Sequence, residues 1–309
     1  MLASDLIEVL CAAHLTYFVK SPFESRGGII LTGAPGVLKS TFLDVLDRQY
    51  HDAVVMSDVN ARSLSDLRDQ ISTGAIRTLV LPELAKLYER AEATAQNVEG
   101  TLRAIADEGF QAASFEDQRI NRIKARALVM GALTPKTREN HFTAWEESGF
   151  NRRFLWPLIR LHDPNLLERA VVEWRMLDFQ VGHIPRPPLS SESITNRTTA
   201  AERQILQGWV KYQPGGSHAL HLQLLTKILC VLRWWYDVSG KPGDPMAVLS
   251  RFAESLGRTG ATVEIQERPI SPQRRAAEVR KLEQEQVKAA ARKLAARSRS
   301  KRQKKGRRS

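Results

Sequence analysis

The segment Gly33-Ala34-Pro35-Gly36-Val37-Leu38-Lys39-Ser40-Thr41 constrains this chain more than any other. It follows the apolar run Ile29-Ile30-Leu31 and opens a helical pattern over Thr41 to Arg48. A glycine-containing turn between strand and helix, closed by Lys and Ser-Thr, is the context of a phosphate-binding loop. Glycines let successive backbone N–H groups turn inward around an anion, and the helix N-terminus adds partial positive charge. Lys39 is spaced to reach the β- and γ-phosphates of a nucleotide, and the Ser40 hydroxyl to ligate Mg2+. The usual pattern has Gly immediately before the Lys. Here that position is Leu38, which is accommodated if the residue has helical φ/ψ and its side chain points away.

What surrounds the loop reads as parallel α/β architecture with helices on both faces of the sheet. Further apolar strands are expected at Ala53-Val54-Val55-Met56, at Thr78-Leu79-Val80-Leu81, and at Ala127-Leu128-Val129-Met130, stopping at Gly131. Helices alternate with them: one capped by Ser63 and reaching Ser72, then patterns over 83–93 and 96–109. Residues 3–19 carry Leu6, Val9, Leu10, Ala13 and Tyr17 at the spacing of an amphipathic helix. Asp5 and Glu8 within that pattern argue against a signal peptide. The third strand runs on into Pro82-Glu83. A carboxylate at a strand end beside a phosphate loop is placed to orient an attacking water as general base. Pro82 occupies the place where an Asp often precedes such a Glu, so a carboxylate on the Mg2+ side must come from elsewhere, such as Asp58. The plainer reading of Glu83 is a helix N-terminal charge favoured by the dipole.

The order and spacing of these segments over about residues 29–160 resemble the AAA+ ATPases, in particular the helicase-like branch that contains the minichromosome maintenance helicases. The stretches that carry the resemblance are GAPGVLKS, LVLPELAKL, NVEGTLRAIADEGF, RALVMGALTP and GFNRRF. It implies ATP and Mg2+ as ligands, an insert over AASFEDQRINRIKAR, and a sensor position at Thr134. It also implies an arginine finger at Arg153, with Arg152 as the spare candidate, reaching the γ-phosphate of a neighbouring subunit in a ring of identical chains. The plainer reading of Arg152 and Arg153 is a pair of exposed surface charges at a loop-to-strand boundary. The Walker A Gly and the Walker B Asp are both altered in this chain.

Beyond residue 184 the pattern changes. Pro185, Pro187, Pro188, Ser190, Ser191 and Ser193 read as a linker. Helical patterns then fill 199–213, 219–238 and 245–256 with no strong strand, and by resemblance these form a small lid over the nucleotide. Arg197, Arg203 and Lys227 are its candidate γ-phosphate contacts, with nothing to choose among them. Trp234 and Trp235 read as core. The expected division is therefore 1–184, an ATPase-like domain with an N-terminal helix, 185–260, a helical lid, and 261–309, a basic tail.

The net charge belongs to the end of that tail. Residues 274–309 hold 15 Lys and Arg against 3 Asp and Glu, a net of +12, which is the whole formal charge of the chain. Such a segment is an electrostatic handle for polyanions and points to nucleic acid as partner. It carries few of the bulky apolar anchors that a membrane surface would favour. No uncharged apolar run approaches the ~18 residues of a membrane span. Cys11 and Cys230 sit far apart in apolar patterns, as buried thiols of a reducing, cytoplasmic compartment. No zinc spacing, nucleophile elbow or glycosidase carboxylate pair is present. The leading expectation is a ring-forming ATPase acting on nucleic acid, of helicase, loader or mobile-element type. The alternatives are a nucleotide-binding switch that scarcely hydrolyses, and a protein remodeller.

Overall fold

The computed structural model describes residues 1–21, 25–109, 126–163, 166, 175–178, 184–187, 194–214 and 218–269. They belong to two compact units, Met1–Pro164 with Phe179–Ile265, and Asn165–Asp178 with Gln266–Ser309. The first unit is built on a sheet of five strands: β1 (Gly28–Thr32), β2 (Ala53–Val55), β3 (Thr78–Leu81), β4 (Leu128–Leu133) and β5 (Phe154–Leu155). All neighbours are parallel, in the order β2-β3-β4-β1-β5. A shorter parallel pair joins β6 (Ile159–Leu161) to β8 (Ala261–Val263). In the second unit β7 (Arg175–Asp178) pairs antiparallel with β9 (Gln266–Pro269). Both β8 and β9 lie within 261–309, the segment expected as a basic, partly helical or disordered tail.

The helices are α1 (Ala3–His14), α2 (Lys39–Gln49), α3 (Ala61–Asp66), α4 (Arg68–Ser72), α5 (Glu92–Arg103), α6 (Pro135–Glu147), α7 (Ala200–Val210), α8 (Ala219–Ser239) and α9 (Pro245–Glu254). Alternate strand residues Ile30, Leu79, Leu81, Val129, Leu133 and Phe154 share one apolar cluster with Leu64 of α3, Leu102 of α5 and Trp145 of α6. On the strands the period of two sends their neighbours to the other face. There α2 packs on β2 and β4, and α1 packs on α2, α8 and α9.

Several sequence expectations change here for identifiable reasons. Helix α1 is buried on all sides rather than amphipathic, and it stops at His14, with a 3-10 turn over Leu15–Phe18. Its two acids are buried and paired: Asp5 with Arg251 at 2.8 Å, Glu8 with Lys241 at 2.7 Å. Asn60, not Ser63, caps α3; Ser63 completes the capping box from the third helical position. Strand β4 continues through Gly131 to Leu133, because the missing side chain makes room for Leu84, whose Cδ2 would lie 3.0 Å from a Cβ there. Helices α7, α8 and α9 fall where expected, but they belong to the same compact unit as the sheet, with no division at 184/185. Trp235 is buried and Trp234 half-buried.

At the N-terminal end of β3 a buried polar hub ties α1 to the sheet. His14 Nδ1 lies 2.8 Å from the Thr78 hydroxyl, and its Nε2 lies 3.0 Å from Asp52. Asp52 also accepts Arg186 and faces Arg77 at 3.6 Å. Burial pushes the His14 pKa down, outweighing the pull of Asp52. Burial also lowers His221 on α8, to about 4. Burial alone would raise Asp52, but the His14 hydrogen bond and charge, with Arg186 and Arg77, hold it below its ordinary value.

Two tests follow from this packing. A Cβ at Gly28 would stand 2.3 Å from the Val129 carbonyl and 2.5 Å from Phe154 Cδ1. Gly28→Ala is therefore expected to cost about 2 kcal/mol or more, measured by denaturant unfolding, because both obstacles are core. The histidines set the pH response. Their folded pKa values lie below the ordinary 6.5, so protons bind the unfolded chain more readily. Stability is complete above pH 6.5 and falls as the solution is acidified below it, by up to about 1.4 kcal/mol per pH unit for each histidine. The depressed Asp52 adds a loss in the same direction at lower pH. Thermal melts from pH 8 to pH 4 measure the decline.

Candidate functional site

The carboxyl ends of β1, β3 and β4 meet at one edge of the sheet, the place where open parallel sheets bind ligands. The loop leaves β1 under tight control. Thr32 N–H donates to the Pro157 carbonyl at 2.8 Å, and Gly33 N–H to the Leu133 carbonyl at 3.2 Å. A side chain at Gly33 would meet the Ile159 carbonyl and Val37 Cγ2, both at 2.7 Å. Gly36 has φ +82°, open only to glycine at low cost. Ala34, Pro35 and Gly36 are exposed, while Val37 is buried and anchors the turn.

Leu38 departs from the sequence expectation. It sits at the N-cap of α2 with φ 59° and ψ 21°, in the left-handed region, the one non-glycine residue with positive φ among the described residues. A glycine in that place has no Cβ to strain, and this is the physical reason the usual pattern wants one. Leu38 bears a cost of ~1–2 kcal/mol there.

Lys39 turns back into the loop, its Nζ donating to the carbonyls of Gly33 at 2.7 Å and Ala34 at 2.8 Å. Burial lowers its pKa. Ser40 is exposed, and its hydroxyl donates to the Pro82 carbonyl at 3.4 Å. Thr41 is half-buried in the same turn, and no acidic residue occupies the first turn of α2. The loop thus places one ammonium and one hydroxyl at a helix N-terminus free of opposing charge, an arrangement suited to a phosphate.

The other predicted residues are distributed unequally around it. The end of β3 does reach Ser40, but through the backbone of Pro82. Glu83 follows it, with its side chain 45% exposed and ion-paired with Lys86 three residues on. Asp58 pairs instead with Arg90, which also donates to the Val59 carbonyl at 2.9 Å. Thr134 ends β4 as the N-cap of α6: its hydroxyl accepts from Thr137 N–H at 3.2 Å and meets the Thr137 hydroxyl at 2.8 Å. Lys227 lies at the opposite edge, donating to the Ser25 carbonyl at 2.9 Å just before β1. Arg197 and Arg203 are exposed.

Arg153 requires a correction. Its side chain is 3% exposed and is paired with Glu108 at 2.5 Å and Asp107 at 3.4 Å, while Nη1 donates to the Gly149 carbonyl at 2.6 Å. A guanidinium sealed by its own chain is unavailable to a neighbouring subunit. Arg152, one residue earlier in the same turn, is exposed. Most of the expected insert, and the expected tail from residue 270 onward with all of its charged stretch 274–309, lie outside the described residues.

Ser40 offers an exposed hydroxyl to a metal, and the carbonyl beside it at 3.4 Å is that of Pro82. Among the described residues no group of three or more His, Cys, Asp or Glu is arranged to hold a metal. The sequence signalled the gap through Pro82 but not the contact of its carbonyl with Ser40, since a backbone group leaves no mark in a residue pattern. The Glu83–Lys86 pair was readable as an i,i+3 spacing.

No protein-family model matches this chain, and no curated protein matches its sequence. Among the described residues no helix is long and apolar enough to cross a membrane.

The strain at Leu38 is open to a direct test. Leu38→Gly is expected to leave stability unchanged or raise it by up to about 1 kcal/mol. Leu38→Val, with a branched Cβ in the same conformation, should lower it by about 1–2 kcal/mol. Denaturant unfolding of the pair with the parent chain measures both.

Proposed function

We propose that this protein binds a nucleoside triphosphate, ATP by the resemblance, as an AAA+-like P-loop ATPase that acts on nucleic acid. One observation carries the reading: the Gly33–Thr41 loop joins the end of a buried central strand to a helix N-terminus, with Lys39 folded over it and the end of β3 against Ser40. Lys39 would exchange its two carbonyl partners for β- and γ-phosphate oxygens, a stronger, charge-assisted pairing. Ser40 Oγ would take one position on a nucleotide-borne Mg2+, whose contribution is neutralisation of phosphate charge. Glu83, once released from Lys86, is the general base for an attacking water. Thr134 stays a candidate sensor through its place at the end of β4, with its hydroxyl engaged in capping α6. Arg152 replaces Arg153 as candidate finger in a ring of identical subunits, and α7 to α9 take the place of the lid. The tail 274–309 supplies a salt-dependent grip on nucleic acid phosphates in a cytoplasmic setting.

A second reading, a nucleotide switch with little turnover, is favoured by the Pro82 carbonyl at Ser40 and by the Glu83–Lys86 pair. Binding and turnover separate the two. Lys39→Ala should abolish binding of a fluorescent ATP analogue; retention of affinity removes the phosphate-loop assignment. With Ser40 as the protein ligand of the nucleotide-borne Mg2+, exchanging Mg2+ for EDTA should change the affinity of the parent chain by no more than about threefold, less than 1 kcal/mol. Hydrolysis lost in Glu83→Gln with binding intact supports the ATPase reading. A parent chain that binds without turnover supports the switch.

A further inference from the structure

The structure assigns the nucleobase of the bound nucleotide to Tyr212, as a stacking platform flanked by Lys211 and Arg258; this rests on the nucleotide-binding reading above. Tyr212 follows α7 and is 52% exposed, one of four large hydrophobic side chains that stand out from the surface among the described residues. Two cations lie over its ring, Lys211 Nζ at 4.7 Å and Arg258 Cζ at 5.8 Å from the centroid. Neither has a carboxylate or carbonyl partner among the described residues, and both are exposed.

The platform is built onto the same edge of the sheet as the phosphate loop. The next residue, Gln213, is buried, and both ends of its amide are committed. Its Oε1 accepts Trp156 N–H at 2.7 Å, directly after β5, and its Nε2 donates to the Leu256 carbonyl at 2.7 Å, two residues before Arg258. That amide pins the end of α7 and the segment after α9 to the carboxyl end of β5. Strand β5 is the neighbour of β1, one strand spacing of ~4.8 Å away. The connection continues to the loop itself, since Pro157 accepts Thr32 N–H at 2.8 Å and Leu158 bridges Thr32. Tyr212 therefore stands on the β5 side of the loop at the carboxyl end of the sheet, the side to which the proposal sends the sugar and base of a nucleotide held at Lys39. Lys211 and Arg258, which have no carboxylate or carbonyl partner among the described residues, suit the negative charge that a nucleotide brings. Base–aromatic stacking needs only a π-face, so no hydrogen-bonding edge has to be provided and the spent amide of Gln213 is no obstacle.

The test uses the full chain and two probes, ATP and inorganic tripolyphosphate, each titrated calorimetrically. Tyr212→Ala should weaken ATP binding about tenfold or more and leave tripolyphosphate affinity unchanged, while Tyr212→Phe keeps the parent affinity for both. As an exposed site, Tyr212→Ala should melt with the parent chain. Unchanged ATP affinity in Tyr212→Ala overturns the inference, as does an equal loss for both probes, which would mark a disturbed loop. Unchanged ATP affinity together with weaker binding of a single-stranded oligonucleotide would also overturn it, giving the face to a nucleic acid strand. If the parent chain binds neither probe, the nucleotide-binding reading itself falls. Binding of both by parent and variant alike removes only the platform.

Discussion

Strand β1 is held so closely between β4 and β5 that its first residue has no room for a methyl group, and the candidate site depends on that fit. Gly28 lies against the Val129 carbonyl on one side and the Phe154 ring on the other. All five residues of β1 are buried, so its register is set by packing on both faces. At its far end Thr32 and Gly33 donate to the two flanking segments, one bond to each side. The loop therefore starts from a fixed point. Its remaining freedom is spent on a buried Val37, a glycine at positive φ and a strained Leu38.

The same half of the molecule is tied to α1 by charges placed in the core. Asp5–Arg251 and Glu8–Lys241 each leave one acid nearly buried and its partner nearer the surface. Such pairs add little net stability over apolar packing, but losing one partner strands a buried charge. Their consequence is orientation: α1 meets α8 and α9 in one register, and those helices in turn carry the segments that reach the end of β5. At the opposite edge of the sheet, Asp52 does comparable duty for His14, Arg77 and Arg186. These ties run from α1 to α9 and to Lys241 just after α8, parts of the expected lid that share a compact unit with the sheet.

Much of the fold was readable because local signals were strong. Strand β3 matched its expected bounds residue for residue, since four apolar residues end abruptly at Pro82-Glu83. The helices α7, α8 and α9 also matched closely, with Asp244 and Thr199 at their N-caps and Gly240 closing α8. Misjudgements came where a neighbour, not the local pattern, settled the outcome. Helix α1 looked amphipathic because the salt partners of its acids lie more than 230 residues away. Strand β4 was expected to stop at Gly131, but Leu84 fills the space that the glycine leaves.

For the site, the sequence alone determined the residue types and their chemical capacity: a turn with glycines, an ammonium, a hydroxyl, a strand-end carboxylate and a basic tail carrying the entire net charge. These follow from covalent identity and short-range spacing. Only the tertiary structure decided which of them act together. It turned Lys39 onto the loop's own carbonyls, put the Pro82 backbone against Ser40, gave Glu83 to Lys86, sealed Arg153 behind Asp107 and Glu108, and left Arg152 exposed. The physical reason is that hydrogen bonds and ion pairs depend on distances of about 3–4 Å between groups that the chain separates by tens of residues, and packing alone sets those distances.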